Sequence, residues 1–201
     1  MRRDNLPDID SNKIAFQQIL EEDHSVFSLQ MVVIPPGKYP QINSAELLCL
    51  YLAYIKRFTL GLIRPEETPA GLQFRLAGSE QAIIQFSPPL TEKFGESQKT
   101  TIYICGGILV QPKECDRGQL DFMIEAVPAG TRITLKLSDF CPLLLGSSRP
   151  SWWRKWLYRL TQAYLHKIVT LRFIAMVYRK ITGSRLSREI VSVAVRQGKN
   201  T

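Results

Sequence analysis

Between residues 149 and 183 the chain reads RPSWWRKWLYRLTQAYLHKIVTLRFIAMVYRKITG, and this stretch constrains the fold more than any other. Pro150 stands where a first-turn proline is tolerated, because the N–H it lacks would go unpaired there anyway. Gly146, Ser147 and Ser148 precede it as cap-like residues, and Gly183 followed by Ser184-Arg185 is a natural stop. Within these limits Trp153, Leu157, Leu160, Tyr164, Ile168, Leu171, Ala175 and Tyr178 recur in steps of three and four, which predicts one helix with a continuous apolar stripe. Lys155, Arg159, Gln162 and His166 mark the opposite side. The second half is apolar on more than one side and should be buried from more than one direction. At ~1.5 Å per residue the helix would be roughly 50 Å long, more than a domain of this size needs.

Charge singles out the same region. The chain carries a net charge of +8, yet residues 149–201 hold twelve Lys or Arg against the single acid Glu189, and the first 148 residues hold fourteen basic and seventeen acidic groups. A segment so basic attracts an anionic lipid surface, a nucleic acid or an acidic partner, unless it is simply a solvated helix face. Nucleic-acid binding is disfavoured, because no recognisable module accompanies the charge. Residues 1–10 bear two arginines with no apolar run behind them, unlike a secretory signal. The most apolar stretch, 47–63, is broken by Lys56 and Arg57 and does not read as a membrane span. Cys49, Cys105, Cys115 and Cys141 show no C-x-x-C spacing and read as buried free thiols in a reducing, cytoplasmic setting. No metal or cofactor is implied.

The rest of the chain reads as a sheet. Residues 1–24 are a polar lead-in, with at most a short helix at 13–22. Alternation of Phe27, Leu29, Met31 and Val33 with polar residues gives a strand over 26–34. Asn43 with Glu46 three residues on forms a capping-box start, and the apolar run behind it predicts a buried helix ended by Pro65. Strands follow at 72–76, 82–86 and 101–110, with 91–99 a polar loop. Leu120, Phe122, Ile124 and Ala126 then face one way with Asp121 and Glu125 the other, and Ile133, Leu135 and Leu137 continue the pattern after the Pro128-Ala129-Gly130 turn. That is an antiparallel meander with one dry and one wet face. The organisation expected is a lead-in over 1–24, one α+β domain over 25–183 and a basic tail over 184–201.

Strand, helix, several antiparallel strands and a long final helix resemble the helix-grip architecture of START-like and Bet v 1-like proteins. The resemblance covers roughly residues 26–182 and rests on element order. It implies an α+β fold in which a curved antiparallel sheet of six or seven strands wraps around the long C-terminal helix, and a further strand near Phe94 would complete the count. It also implies an apolar cavity between sheet and helix for a lipid or other hydrophobic small molecule. Trp153, Trp156, Leu160 and Tyr164 on the helix, with Phe122, Ile124 and Leu135 on the sheet, would line it.

Three functions follow. The first is non-catalytic binding of such a ligand. The second is a peripheral membrane or protein-interaction role, with Trp152, Arg154, Lys155 and Arg159 on lipid headgroups or another anionic partner. The third is a cyclase- or hydrolase-type enzyme on the same fold. No catalytic set supports the third: His166 sits on the polar side of its helix without a serine or cysteine partner, and Asp121, Glu125 and Asp139 read as solvated acids. Gly106-Gly107 lacks the features of a phosphate loop and suits strand curvature. Nothing in the sequence fixes the oligomeric state.

Overall fold

Backbone pairing, not a long helix, organises the molecule. A computed structural model describes residues 9–11, 13–38, 42–111, 117–143, 164–186 and 189–200. In chain order the elements are β1 (Ile14–Leu20), β2 (Val26–Ile34), α1 (Ser44–Phe58), β3 (Ile63–Thr68), β4 (Gly71–Leu76), β5 (Ala82–Phe86), β6 (Leu90–Phe94), β7 (Ser97–Gly106), β8 (Gln119–Val127), β9 (Gly130–Phe140), α2 (Tyr164–Thr182), β10 (Ile190–Ser192) and β11 (Lys199–Asn200). All eleven strands join one sheet in the order β10-β1-β2-β9-β8-β7-β5-β4-β3, with β6 on β7 and β11 on β1. The β1–β10 pair is parallel. The other pairs are antiparallel.

The period of two explains why β2 sits at the centre. Val32 and Ile34 point to the face covered by both helices, where they join Phe122, Ile124, Ile133, Leu135, Leu47, Tyr51, Phe173 and Val177 in the main core. Phe27, Leu29 and Met31 point the other way, into a second cluster with Ala15 and Ile19, against which Val193 and Val195 pack. Helix α1 starts as its sequence demands. Asn43 accepts from the Glu46 amide at 2.9 Å, and Glu46 accepts from the Asn43 amide at 3.0 Å.

The expected fold needs correction. Among the described residues the C-terminal helix is the 19-residue α2, and no sheet of six or seven strands wraps it. Eleven strands form the sheet, and α2 shares one face of it with α1. Its buried stripe is Val169, Phe173, Ile174, Val177 and Tyr178, whereas Ile168, Leu171 and Ala175 are half-buried, so the helix is turned by about one residue from the expected face. The first 15 residues of the expected helix lie outside the described residues. The strand near Phe94 is present as β6. The strands that the sequence hides are β1, β3, β10 and β11, all at the margins of the sheet. Pro65, expected to end the first helix, instead lies in edge strand β3, where no ladder partner needs its N–H.

Residues 14–20 and 189–200, expected as part of a loose lead-in and a basic tail, bind each other. The buried Gln17 side chain accepts from the Val195 and Arg196 amides at 2.7 and 3.1 Å and donates to the Arg196 carbonyl at 2.6 Å. Arg196 then pairs with Glu21 at 3.2 Å and stands 4.5 Å above the Phe27 ring. Replacing three hydrogen bonds of about 0.5–1.5 kcal/mol each should loosen this closing strap without unfolding the sheet. Gln17→Ala is expected to speed hydrogen exchange at Val195 and Arg196 roughly ten- to hundredfold while leaving that of β8 and β9 unchanged.

Candidate functional site

The end of α1 carries the least expected chemistry. The Gly61 amide donates to the Lys56 carbonyl at 2.7 Å and the Leu60 amide to the Arg57 carbonyl at 3.1 Å, which together close the helix in a Schellman motif. That motif needs a left-handed residue, normally glycine, at the position that Leu60 fills with φ 53°. A side chain in this conformation costs about 1–2 kcal/mol. Leu60 recovers none of it by burial, for it is 95 % exposed.

Two more leucines stand beside it. Leu62 is 57 % exposed, and Leu76, at 41 %, is on β4 directly opposite Ile63. The Leu62 carbonyl accepts from the Ala77 amide at 2.8 Å, which fixes the turn to the end of the β3–β4 hairpin. Cations flank these apolar side chains. Lys56 and Arg57 in the last turn of α1 are exposed, as is Arg64 at the start of β3, and among the described residues none of the three pairs with a carboxylate. Arg172 on α2 lies 5.8 Å over the Phe58 ring, adding a fourth exposed cation. Lys56 and Arg57 also complement the negative end of the helix dipole, which accounts for their position but not for the leucines.

Beside this turn runs an open groove of about 230 Å³ between α1 and the β3–β4 hairpin, walled by Leu52, Ala53, Pro65 and Leu72. Cys49, expected to be buried, is exposed and lines it. Cys105 is half-buried, Cys141 is buried and Cys115 lies outside the described residues.

The described residues among those singled out by sequence fall elsewhere. Phe122, Ile124 and Leu135 are buried in the main core, where Phe122 meets the Tyr51 ring at 5.4 Å and Tyr51 meets Phe173 at 5.1 Å. Burial in this aromatic cluster pushes the Tyr51 hydroxyl pKa well up. Three of the positions expected to line a ligand chamber, Phe122, Ile124 and Leu135, are thus packed against protein side chains. Tyr164 is the first residue of α2. Trp152, Trp153, Arg154, Lys155, Trp156, Arg159 and Leu160 lie outside the described residues.

The acids differ from expectation too. Asp121 is not solvated: it is 1 % exposed, accepts from Thr101 at 2.7 Å and from Gln119 at 3.2 Å, and pairs with Lys136 at 3.4 Å, while Glu125 is half-buried. Glu125, four residues along the same strand and thus about 13 Å away, is too far to share a proton with it. Asp139 faces Arg196 at 3.9 Å. Among the described residues no three metal-ligating side chains gather, and no helix is long and apolar enough to cross a membrane.

His166 is half-buried rather than solvated, and its Nε2 is closed off without a partner. Burial draws its pKa down from 6.5 to about 4. The neutral ring is therefore favoured in the folded state, and the stability it contributes is present above pH 6.5 and lost as pH falls towards 4. His166→Gln should flatten the fall in unfolding free energy between pH 6.5 and 5 by at most about 2 kcal/mol, as read from urea titrations at the two pH values.

A scan against protein-family models and a search of curated proteins found no match to this chain. The local signal for the surface at 56–64 was in the sequence: Lys56-Arg57 followed four residues on by Gly61 is a helix stop ahead of Pro65.

Proposed function

We propose that this protein is a non-catalytic module that docks peripherally on an anionic lipid surface through the turn between α1 and β3. The observation that carries the reading is Leu60, a leucine held outward in the left-handed position of a helix cap. Strain that the chain does not offset internally points to a use outside it. Apolar side chains ringed by lysine and arginine suit insertion at headgroup depth, where each cation near the surface contributes about 1 kcal/mol and a buried leucine about 1.5–3 kcal/mol. The basic composition of residues 152–159, with three tryptophans, adds to the same preference. An internal hydrophobic ligand has weaker support, because Phe122 and Leu135 are already packed against protein side chains.

Sedimentation with vesicles tests the reading. The protein should pellet with vesicles containing phosphatidylserine, not with neutral phosphatidylcholine, and raising salt should release it. Leu60→Gly removes the inserting side chain while relieving the cap, so the variant should be no less stable to urea yet bind at least about tenfold more weakly. Arg57→Ala should weaken binding about fivefold. Undiminished binding by Leu60→Gly would sink the proposal.

A further inference from the structure

We infer that the groove between α1 and the β3–β4 hairpin receives one alkyl chain of a phosphate-bearing membrane lipid, with the phosphate on Lys56. The inference takes its lipid from the surface on which the turn docks and in that respect rests on the function proposed above. Its support is separate. The walls contributed by Leu52, Ala53, Pro65 and Leu72 are apolar over most of their length. From Cys49 to Lys56 the helix advances about 10 Å, and Lys56 marks the end nearest Leu60. The volume of about 230 Å³ decides the ligand class. It is below the roughly 300–1,000 Å³ that encloses a whole drug-sized molecule, so the groove holds part of a ligand rather than the whole of one. At about 30 Å³ for each water-sized group it holds roughly eight such groups, the scale of one short tail.

Charge decides the head. Lys56 lines the groove, is exposed and pairs with no carboxylate among the described residues, so its ammonium is available to a phosphate. Arg57, next to Lys56 on α1, and Arg64, next to Pro65 on β3, are exposed cations adjacent in the chain to residues of the groove without lining it themselves. Of the two acids that line the groove, Glu66 is engaged by Arg75 at 3.0 Å, which holds its carboxyl below the usual range. Glu67 is exposed and shares the Pro65 face of β3, about 7 Å beyond that proline along the strand. A tail entering past Lys56 runs towards Cys49, whose thiol reports on occupancy without any added label.

The test uses n-alkyl phosphates of six to ten carbons, as monomers below their micelle-forming concentrations, with the rate of Cys49 alkylation by iodoacetamide followed by mass spectrometry. Occupancy should slow alkylation of Cys49 and not of Cys105. The dissociation constant should fall about fourfold per added methylene up to roughly eight carbons and then level off. Ala53→Trp, at an exposed helix position, should fill the groove and abolish protection. Lys56→Glu should weaken octyl phosphate but not octanol. Leu60→Gly should leave protection intact, because no vesicle is present; protection in the wild-type protein together with no binding of that wild-type protein to phosphatidylserine vesicles would overturn the docking turn and leave the groove standing. No saturable protection, equal protection in Ala53→Trp, or equal protection by octyltrimethylammonium would overturn the groove assignment.

Discussion

Everything in this molecule depends on the pairing of β2 with β9. Each contributes a strand buried on both faces over much of its length, and their ladder runs from Val26 opposite Phe140 to Ile34 opposite Thr131. Side chains at Val32, Ile133 and Leu135 then lie under the helices, while Leu29 and Met31 support the opposite face. The approach at one end is so close that a Cβ at Gly130 would stand 2.0 Å from the Ile34 carbonyl oxygen, and its φ of 131° is open only to glycine. Roughly a hundred residues separate the two strands, so their pairing carries the closure entropy of a long loop.

A sheet with two buried faces must deal with polar groups on both. On the helix side the hydroxyls of Ser44, Thr100 and Thr91 form a chain at 2.8 and 2.9 Å that ties the start of α1 to β7 and β6. On the other side the Asp121–Lys136 pair is enclosed by Thr101 and Gln119. Removing one member of a buried pair is far more destabilising than the pair is worth, so this network favours one register over a slipped one. Asp121, which reads as solvated, is thus part of the interior, and Glu125 is half-buried.

How much of this the sequence disclosed follows from where each element sits. Strands β2, β4, β5, β8 and β9 have two neighbours each and alternate over enough residues to be read from period alone, and the Asn43–Glu46 box marked the start of α1. Strand β1 was hidden because Gln17 and Gln18 break its apolar run, and only the structure shows that Gln17 grips the backbone of a segment far away. Strand β3 contains a proline and two glutamates, a composition that edges tolerate and patterns miss. The turn after α1 was masked by its own hydrophobicity. Leu60 and Leu62 look like the continuation of a buried helix, and whether a leucine points inward or outward depends on where the helix stops.

The strap that closes the sheet also sets a timetable. Gln17 and Val195 lie 178 residues apart in sequence, so β1 leaves the ribosome long before its partner exists. At about 5–20 residues per second its outer edge stays open for roughly 10–40 s during synthesis. Phe27, Leu29 and Met31 lack the Val193 and Val195 side chains for the same interval. The nascent chain therefore passes through a stage with an uncovered strand edge beside an uncovered apolar cluster, the combination that invites pairing with another chain. The last dozen described residues close this exposure only once they have been made.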